Sequence, residues 1–243
     1  MMRLNKYLAQ SGVASRRSAD LLISQGKIKL NGEIVTEMGI QIEPERDLIE
    51  IDGKPVNLRL EYEYLILNKP PGFLTTVRDP FNRSTVMELL PKNITRLYPV
   101  GRLDLDTSGL LLFTNDGEMA LALTHPRHFV EKEYLTKVTG VPTDKEIRKL
   151  TQGILLDDGM TAPAKLAIEK IENGNAIIRI KIREGRKRQV KRMMQAIGHR
   201  VISLHRIRMG PLALGDLKPG EYRRPTEQEL AEMMKIKEMV KRS

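Results

Sequence analysis

The stretch Gly101-Arg102-Leu103-Asp104-Leu105-Asp106-Thr107-Ser108-Gly109, followed at once by Leu110-Leu111-Leu112-Phe113, joins a polar loop directly to an apolar run. A short, unbroken apolar run bounded by a glycine reads as a strand buried on both faces. The loop before it therefore places an arginine and two carboxylates at the mouth of a buried strand. Polar loops carried by rigid strands are where binding and catalytic groups concentrate. The plain alternative is a turn in which Asp106 or Thr107 hydrogen-bonds its own backbone.

Reading outward, Tyr64 to Leu67 is a strand, and Pro70-Pro71-Gly72 is a turn. A loop rich in Thr, Arg and Asp follows, with a short helix around Val86 to Leu90 before the acidic loop. Downstream, short strands alternate with isolated helices. Ala176-Ile177-Ile178-Arg179-Ile180-Lys181-Ile182 reads as a strand with one basic face, and Val190, Met193, Met194 and Ile197 trace a helix stripe ended by Gly198. Thr226 and Glu229 form a capping box, and Leu230, Met233, Met234 and Lys237 follow at helical spacing, which predicts a packing helix or a methionine-rich docking stripe. The pattern is α+β with a mainly antiparallel sheet.

The first part of the chain reads differently. Leu4, Tyr7 and Leu8 sit at helical spacing until Gly12, and Ser15 offers an N-cap for a second helix carrying Ala19, Leu21 and Leu22 and stopped at Gly26. Ile28 and Leu30 alternate with Lys27 and Lys29, and Asn31-Gly32 is a two-residue hairpin signal leading into Ile34 and Val35. A second such turn, Asp52-Gly53, follows Leu48-Ile49-Glu50-Ile51. The unit closes near Val56, with Asn57 to Glu63 as a linker, so the expected division is 1–58 and 59–243. Arg16 and Arg17 fall in the first turn of the second helix. Two arginines there oppose the helix dipole unless an anion compensates, which makes them a candidate phosphate clamp.

A formal charge of +10 over 243 residues, with a pI near 9.7, points to a polyanionic partner. The absence of cysteine excludes disulfides, thiolate zinc sites and a cysteine nucleophile, and fits an intracellular address. No apolar stretch approaches the roughly 18 residues of a membrane helix, so a soluble cytoplasmic protein without a membrane partner is expected. His125-Pro126-Arg127-His128 has the look of a metal pair, but Pro126 and the lack of a nearby third ligand argue against metal binding. No phosphate-cradling glycine fingerprint appears.

The 101–109 loop, Lys69-Pro70-Pro71-Gly72, Glu131-Lys132-Glu133-Tyr134 and Glu184-Gly185-Arg186-Lys187-Arg188-Gln189-Val190-Lys191-Arg192-Met193 occur in an order that resembles the pseudouridine synthases acting on single ribosomal RNA sites. Val13-Ala14-Ser15-Arg16-Arg17 and the Asn31-Gly32 hairpin resemble an S4-type RNA-binding domain. The resemblance implies a small N-terminal α/β RNA-binding module followed by a synthase domain with a mixed, mainly antiparallel sheet and flanking helices. It implies isomerisation of uridine to pseudouridine without a cofactor, on ribosomal RNA or a ribosomal subunit precursor.

The spacing of Asp104 and Asp106 does not by itself select either acid. The resemblance places the catalytic aspartate at Asp104, with Asp106 bracing the loop through the backbone or Ser108. A carboxylate that works ionised in a partly buried site calls for a positive partner. Lys191 resembles the basic position of the family's third motif, and Arg186 is a rival; a helix already including Lys187 and Arg188 would put both on the face of Lys191. Tyr134, with Lys132, stands where related enzymes place a tyrosine against the target base, and Arg102 resembles the residue filling the place a flipped base leaves. Arg16, Arg17, Arg186 and Arg188 are the expected RNA contacts. Leu74-Thr75-Thr76-Val77-Arg78-Asp79-Pro80, with Thr85-Val86 and Leu89-Leu90-Pro91, looks more like the members acting on large-subunit 23S RNA than those acting on 16S RNA. A monomer is expected. A non-catalytic RNA-binding assembly factor and a hydrolase using both aspartates remain as other classes.

Overall fold

In the computed structural model, which describes residues 1–58, 61–91 and 96–242, the chain divides into two compact units, Met1–Tyr62 and Glu63–Ser243. In the first, β1 (Met2–Arg3) leads into α1 (Leu4–Gln10) and α2 (Arg16–Ser24), followed by β2 (Ile28–Leu30), β3 (Glu33–Val35), β4 (Gln41–Ile42), β5 (Ile49–Ile51) and β6 (Lys54–Pro55). The Ser15 hydroxyl caps α2 by accepting from the Ser18 amide at 3.1 Å, as the sequence predicts. Asn31 and Gly32, both at positive φ (52° and 87°), make the β2–β3 turn, and Asp52-Gly53 makes the β5–β6 turn. Leu4, Tyr7, Leu8, Ala19, Ile23, Ile28 and Ile49 form the core of this unit. One expectation is corrected: Leu21 is exposed, and Ile23, four residues after Ala19 on the same face, takes the core position. The linker expected over 57–63 includes residues 59 and 60, which lie outside the described ones.

The second unit is built on β7 (Tyr64–Lys69), every residue of which is buried. After β8 (Tyr98–Pro99) come β9 (Ser108–Thr114), α3 (Gly117–Thr124), β10 (Lys132–Val138), α4 (Asp144–Gln152), β11 (Leu155–Leu156) and β12 (Gly159–Met160). β13 (Lys165–Glu172), β14 (Asn175–Ile182), α5 (Gln189–Ala196), β15 (Val201–Met209), β16 (Leu212–Ala213), β17 (Tyr222–Arg223) and α6 (Glu227–Arg242) complete it. The main sheet runs β13-β14-β10-β15-β9-β7-β17, with β8 on β9 and β16 on β15. Each pairing is antiparallel except β9 with β15, so the sheet is mixed and the unit α+β.

The two central strands have no polar face because each face carries its own core. Leu65, Leu67, Leu111 and Phe113 pack with Met193 and Met194 of α5, whereas Ile66, Leu110 and Leu112 pack with Met119 of α3 and Met233 of α6. The apolar run after the loop is continuous for this reason. α6 packs as predicted: its Thr226/Glu229 capping box forms, and Lys237 reaches 2.6 Å to the buried Asp116 that caps α3. At α5 the sequence misleads. Arg188 adopts a left-handed φ of 51° and the helix starts at Gln189, so Lys187 and Arg188 precede the helix and do not share its face with Lys191.

The short parallel register, His205 opposite Ser108 and Arg206 opposite Gly109, brings the β15 backbone against the end of the acidic loop. A Cβ on Gly109 (φ +105°) would lie 2.2 Å from the Arg206 carbonyl oxygen and 2.6 Å from its nitrogen. Gly109→Ala should therefore cost at least about 3 kcal/mol. Gly220→Ala, at φ +84° but facing open space, should cost only about 1–2 kcal/mol. Urea unfolding of the two variants checks this, and equal losses would contradict the close approach.

Candidate active site

The loop between β8 and β9 is held from below by a buried ammonium. Lys69 ends β7 fully buried, and its Nζ donates to the carbonyl oxygens of Thr107 (2.8 Å), Pro70 (3.0 Å), Asp104 (3.2 Å) and Leu105 (3.4 Å). The Gly72 amide donates to Leu105 O at 2.8 Å, and Thr75 Oγ1 donates to Leu103 O at 2.8 Å. Leu103 is buried in the main core. The loop is thus fixed at Leu103, Asp104, Leu105 and Thr107 while its carboxylates stay outside the core. Burial pushes Lys69 down to about 8, against the pull of Asp106 and Asp104.

Lys191, projecting from α5, meets both acids. Its Nζ lies 2.5 Å from Asp106 Oδ1 and 3.6 Å from Asp104 Oδ2. The hydrogen bond from Lys191 holds the Asp106 carboxyl below the usual carboxylate range. Asp106 does not brace the loop through Ser108: that hydroxyl sits 2.8 Å from Nδ1 of His205, its partner in the parallel strand pair. Nor is Arg186 the cation beside Asp104. Its guanidinium is taken up by Glu184, by Asp158 and by the carbonyls of Gly159 and Met160, where it braces the turn before α5. Arg192 is likewise held by Asp157 and Asp158.

Asp104, Arg102, Tyr134, Arg186 and Arg188 line one cleft of about 730 Å³, walled also by Thr75, Arg78 and Arg83 of the 74–83 loop. Asp104 presents its side chain at 37% exposure, whereas Asp106, at 69%, turns outward and is not part of the lining. Tyr134, only 9% exposed, belongs to the cleft wall and lies on the same strand face as Lys132, Thr136 and Val138. Glu133 points to the other face, where Arg179 (2.7 Å) and Lys181 (3.3 Å) meet it, so the basic face expected of β14 is largely neutralised. Arg102 and Arg188 are exposed. In the N-terminal unit, Arg16 and Arg17 stand exposed in the first turn of α2.

Two contributors had no role assigned from sequence. Lys69 belongs to the Lys-Pro-Pro-Gly motif, and a lysine closing an otherwise apolar strand was the available signal. Arg206 gave none, because its burial depends on the parallel β9–β15 pairing.

An acid and a tyrosine lining one arginine-rich cleft, with a lysine reaching the acid from α5 and a separate N-terminal module presenting an exposed arginine pair, define an enzyme acting on nucleic acid. Residues 63–196 match the RNA pseudouridylate synthase family and residues 2–49 the S4 domain. The chain is similar to ribosomal large subunit pseudouridine synthase B of Bacillus subtilis (46% identity; 95% of this chain, 94% of the relative). It is similar also to ribosomal small subunit pseudouridine synthase A of Yersinia pestis (38%; 95% and 97%). A crystal structure of a pseudouridylate synthase superposes with a TM-score of 0.68 at 34% identity, covering 96% of this chain and all of the other. The chain belongs to the RNA pseudouridine synthase family, with an N-terminal S4 domain.

Replacing Lys69 by Met removes the ammonium on which four carbonyls converge. We expect a loss of about 3 kcal/mol in urea unfolding and a fall of about 100-fold in pseudouridine formation under single turnover. Unchanged activity would show that the ammonium does not organise the loop. Because burial lowers both Lys69 and Lys132 to about 8, their charge is lost as pH rises through about 8 rather than near the usual 10.4. The kcat/KM profile should accordingly fall above about pH 8, and a plateau to pH 10 would contradict that assignment.

Proposed function

We propose that this protein converts a uridine of 23S ribosomal RNA to pseudouridine, with Asp104 as the group acting on the target nucleotide. The observation that carries the choice of Asp104 is its position: of the two loop acids it alone lines the cleft shared with Tyr134, while Lys191 holds both. The reaction breaks the bond from C1′ to N1 and forms one from C1′ to C5; the C5 proton leaves and N1 gains one, with no change in oxidation state. A single ionised carboxylate can serve as nucleophile or base in that sequence, and Lys191 supplies the opposing charge.

The remaining residues divide by reach. Tyr134 offers the ring against which a flipped uracil stacks, and Arg102, exposed beside Asp104, takes the place the base leaves in the RNA. Arg188 contacts backbone phosphates at the cleft rim, whereas Arg186 serves the cleft by bracing the turn. Arg16 and Arg17 bind phosphates at the start of α2. The large-subunit target is supported by the residues of the 74–91 segment and by the higher identity to the large-subunit relative than to the small-subunit one. We propose a cytoplasmic monomer acting where ribosomal RNA is assembled.

Carbodiimide mapping with primer extension on unmodified ribosomal RNAs tests this. Wild type should give one new stop in 23S RNA, absent with Asp104→Asn and weakened about tenfold with Asp106→Asn, which keeps Lys191 near Asp104 but removes a charge. A stop in 16S RNA alone would move the target. No stop despite tight binding would favour the assembly-factor reading. In binding titrations, replacing Arg16 and Arg17 by Ala should reduce the slope of log K against log salt by about 1–2.

A further inference from the structure

We propose that Lys132 and Arg206 form a buried anion subsite that receives a backbone phosphate of the RNA beside the flipped uridine, an inference that rests on the RNA-modifying reading of the same cleft. Arg206 lies directly across from Tyr134 in the β10–β15 pairing, and Lys132 is two residues along β10 on the same face. Both line the cleft, at 7% and 4% exposure for Lys132 and Arg206. The Arg206 Nε donates to Leu110 O at 2.8 Å, which fixes the plane of the guanidinium, while its Nη2 is buried without a partner.

Among the described residues no carboxylate lies within ion-pair distance of either cation. The nearby acids are turned elsewhere: Glu131 pairs with Lys181 and Arg183, and Glu133 with Arg179 and Lys181 on the opposite face. The cleft lining also includes the neutral Val100, Gly101, Thr124 and Met209, and of its two carboxylates Asp104 is met by Lys191 and Asp79 by Arg83. Burial, and after it the charge of Arg206, depresses Lys132 to about 8, and no carboxylate opposes them. Two adjacent buried cations without a counter-ion are costly unless a ligand supplies the negative charge. The ligand of this cleft is RNA, whose formal charges are its phosphates. A fixed guanidinium fork beside an ammonium suits a phosphate. Two strand residues span about 6.6 Å, comparable to the separation of a base stacked on Tyr134 from its own phosphate.

The first arm of the test needs no activity. With inorganic phosphate compared with chloride at equal ionic strength, wild type should show a larger rise in Tm than Lys132→Met, and Lys132→Arg should retain the rise. Equal shifts in wild type and Lys132→Met would overturn the subsite. The second arm places a neutral methylphosphonate at single linkages flanking the mapped uridine. At one linkage wild-type kcat/KM should fall at least about tenfold. Lys132→Met should lose as much on ordinary RNA and nothing more on the modified RNA. If every methylphosphonate is harmless while Lys132→Met still slows the reaction, the pair acts on the base and the phosphate assignment falls. If no RNA is modified by wild type yet the phosphate-dependent Tm difference persists, the functional reading fails and the anion subsite stands.

Discussion

Much of the site depends on one buried charge. An ammonium at the end of an interior strand is expensive, and four converging carbonyls on Lys69 offset that cost only if the loop that carries three of them adopts a single path. The requirement runs both ways: the loop supplies the solvation that lets the lysine be buried, and the lysine supplies the order that lets Asp104 face the cleft. Leu103, anchored in the core, fixes the direction from which Asp104 emerges.

The second constraint is the parallel junction of β9 and β15. A loop entering β9 must pass the β15 backbone so closely that position 109 cannot carry a side chain. That contact joins the acidic loop to the strand bearing Arg206, which also pairs with the strand bearing Tyr134 and Lys132. Tyr134 and the buried cations therefore belong to one sheet, and the acidic loop is tied to it at the β9–β15 junction, with Lys191 added from a helix packed on its face. Rigid elements hold a reacting group more closely than a mobile loop could.

The legible parts were those encoded locally. The Ser15 cap, the Asn-Gly and Asp-Gly turns, the α5 stripe and the α6 capping box all follow from residues within a few positions of one another. The contact of Lys191 with the aspartates is long-range, and it was suggested only by resemblance. What misled was equally physical: Arg188 takes a left-handed conformation that helical periodicity does not reveal, and Asp106 finds Lys191 instead of its neighbour Ser108. Arg206 stayed silent because an arginine in an alternating strand reads as solvent-facing until its neighbour across the sheet is known.

Charge is distributed by partnership as much as by number. Arg179, Lys181, Arg192, Arg223 and Lys237 all have carboxylate partners, so many of the protein's cations serve its own structure. The described cations that line the cleft without such a partner include Arg102, Arg188, Lys132 and Arg206. A basic protein whose surface charges were all equivalent would attract RNA in any orientation. Neutralising one sheet face while leaving these four cleft cations unpaired gives the attraction a direction, toward the loop that holds Asp104.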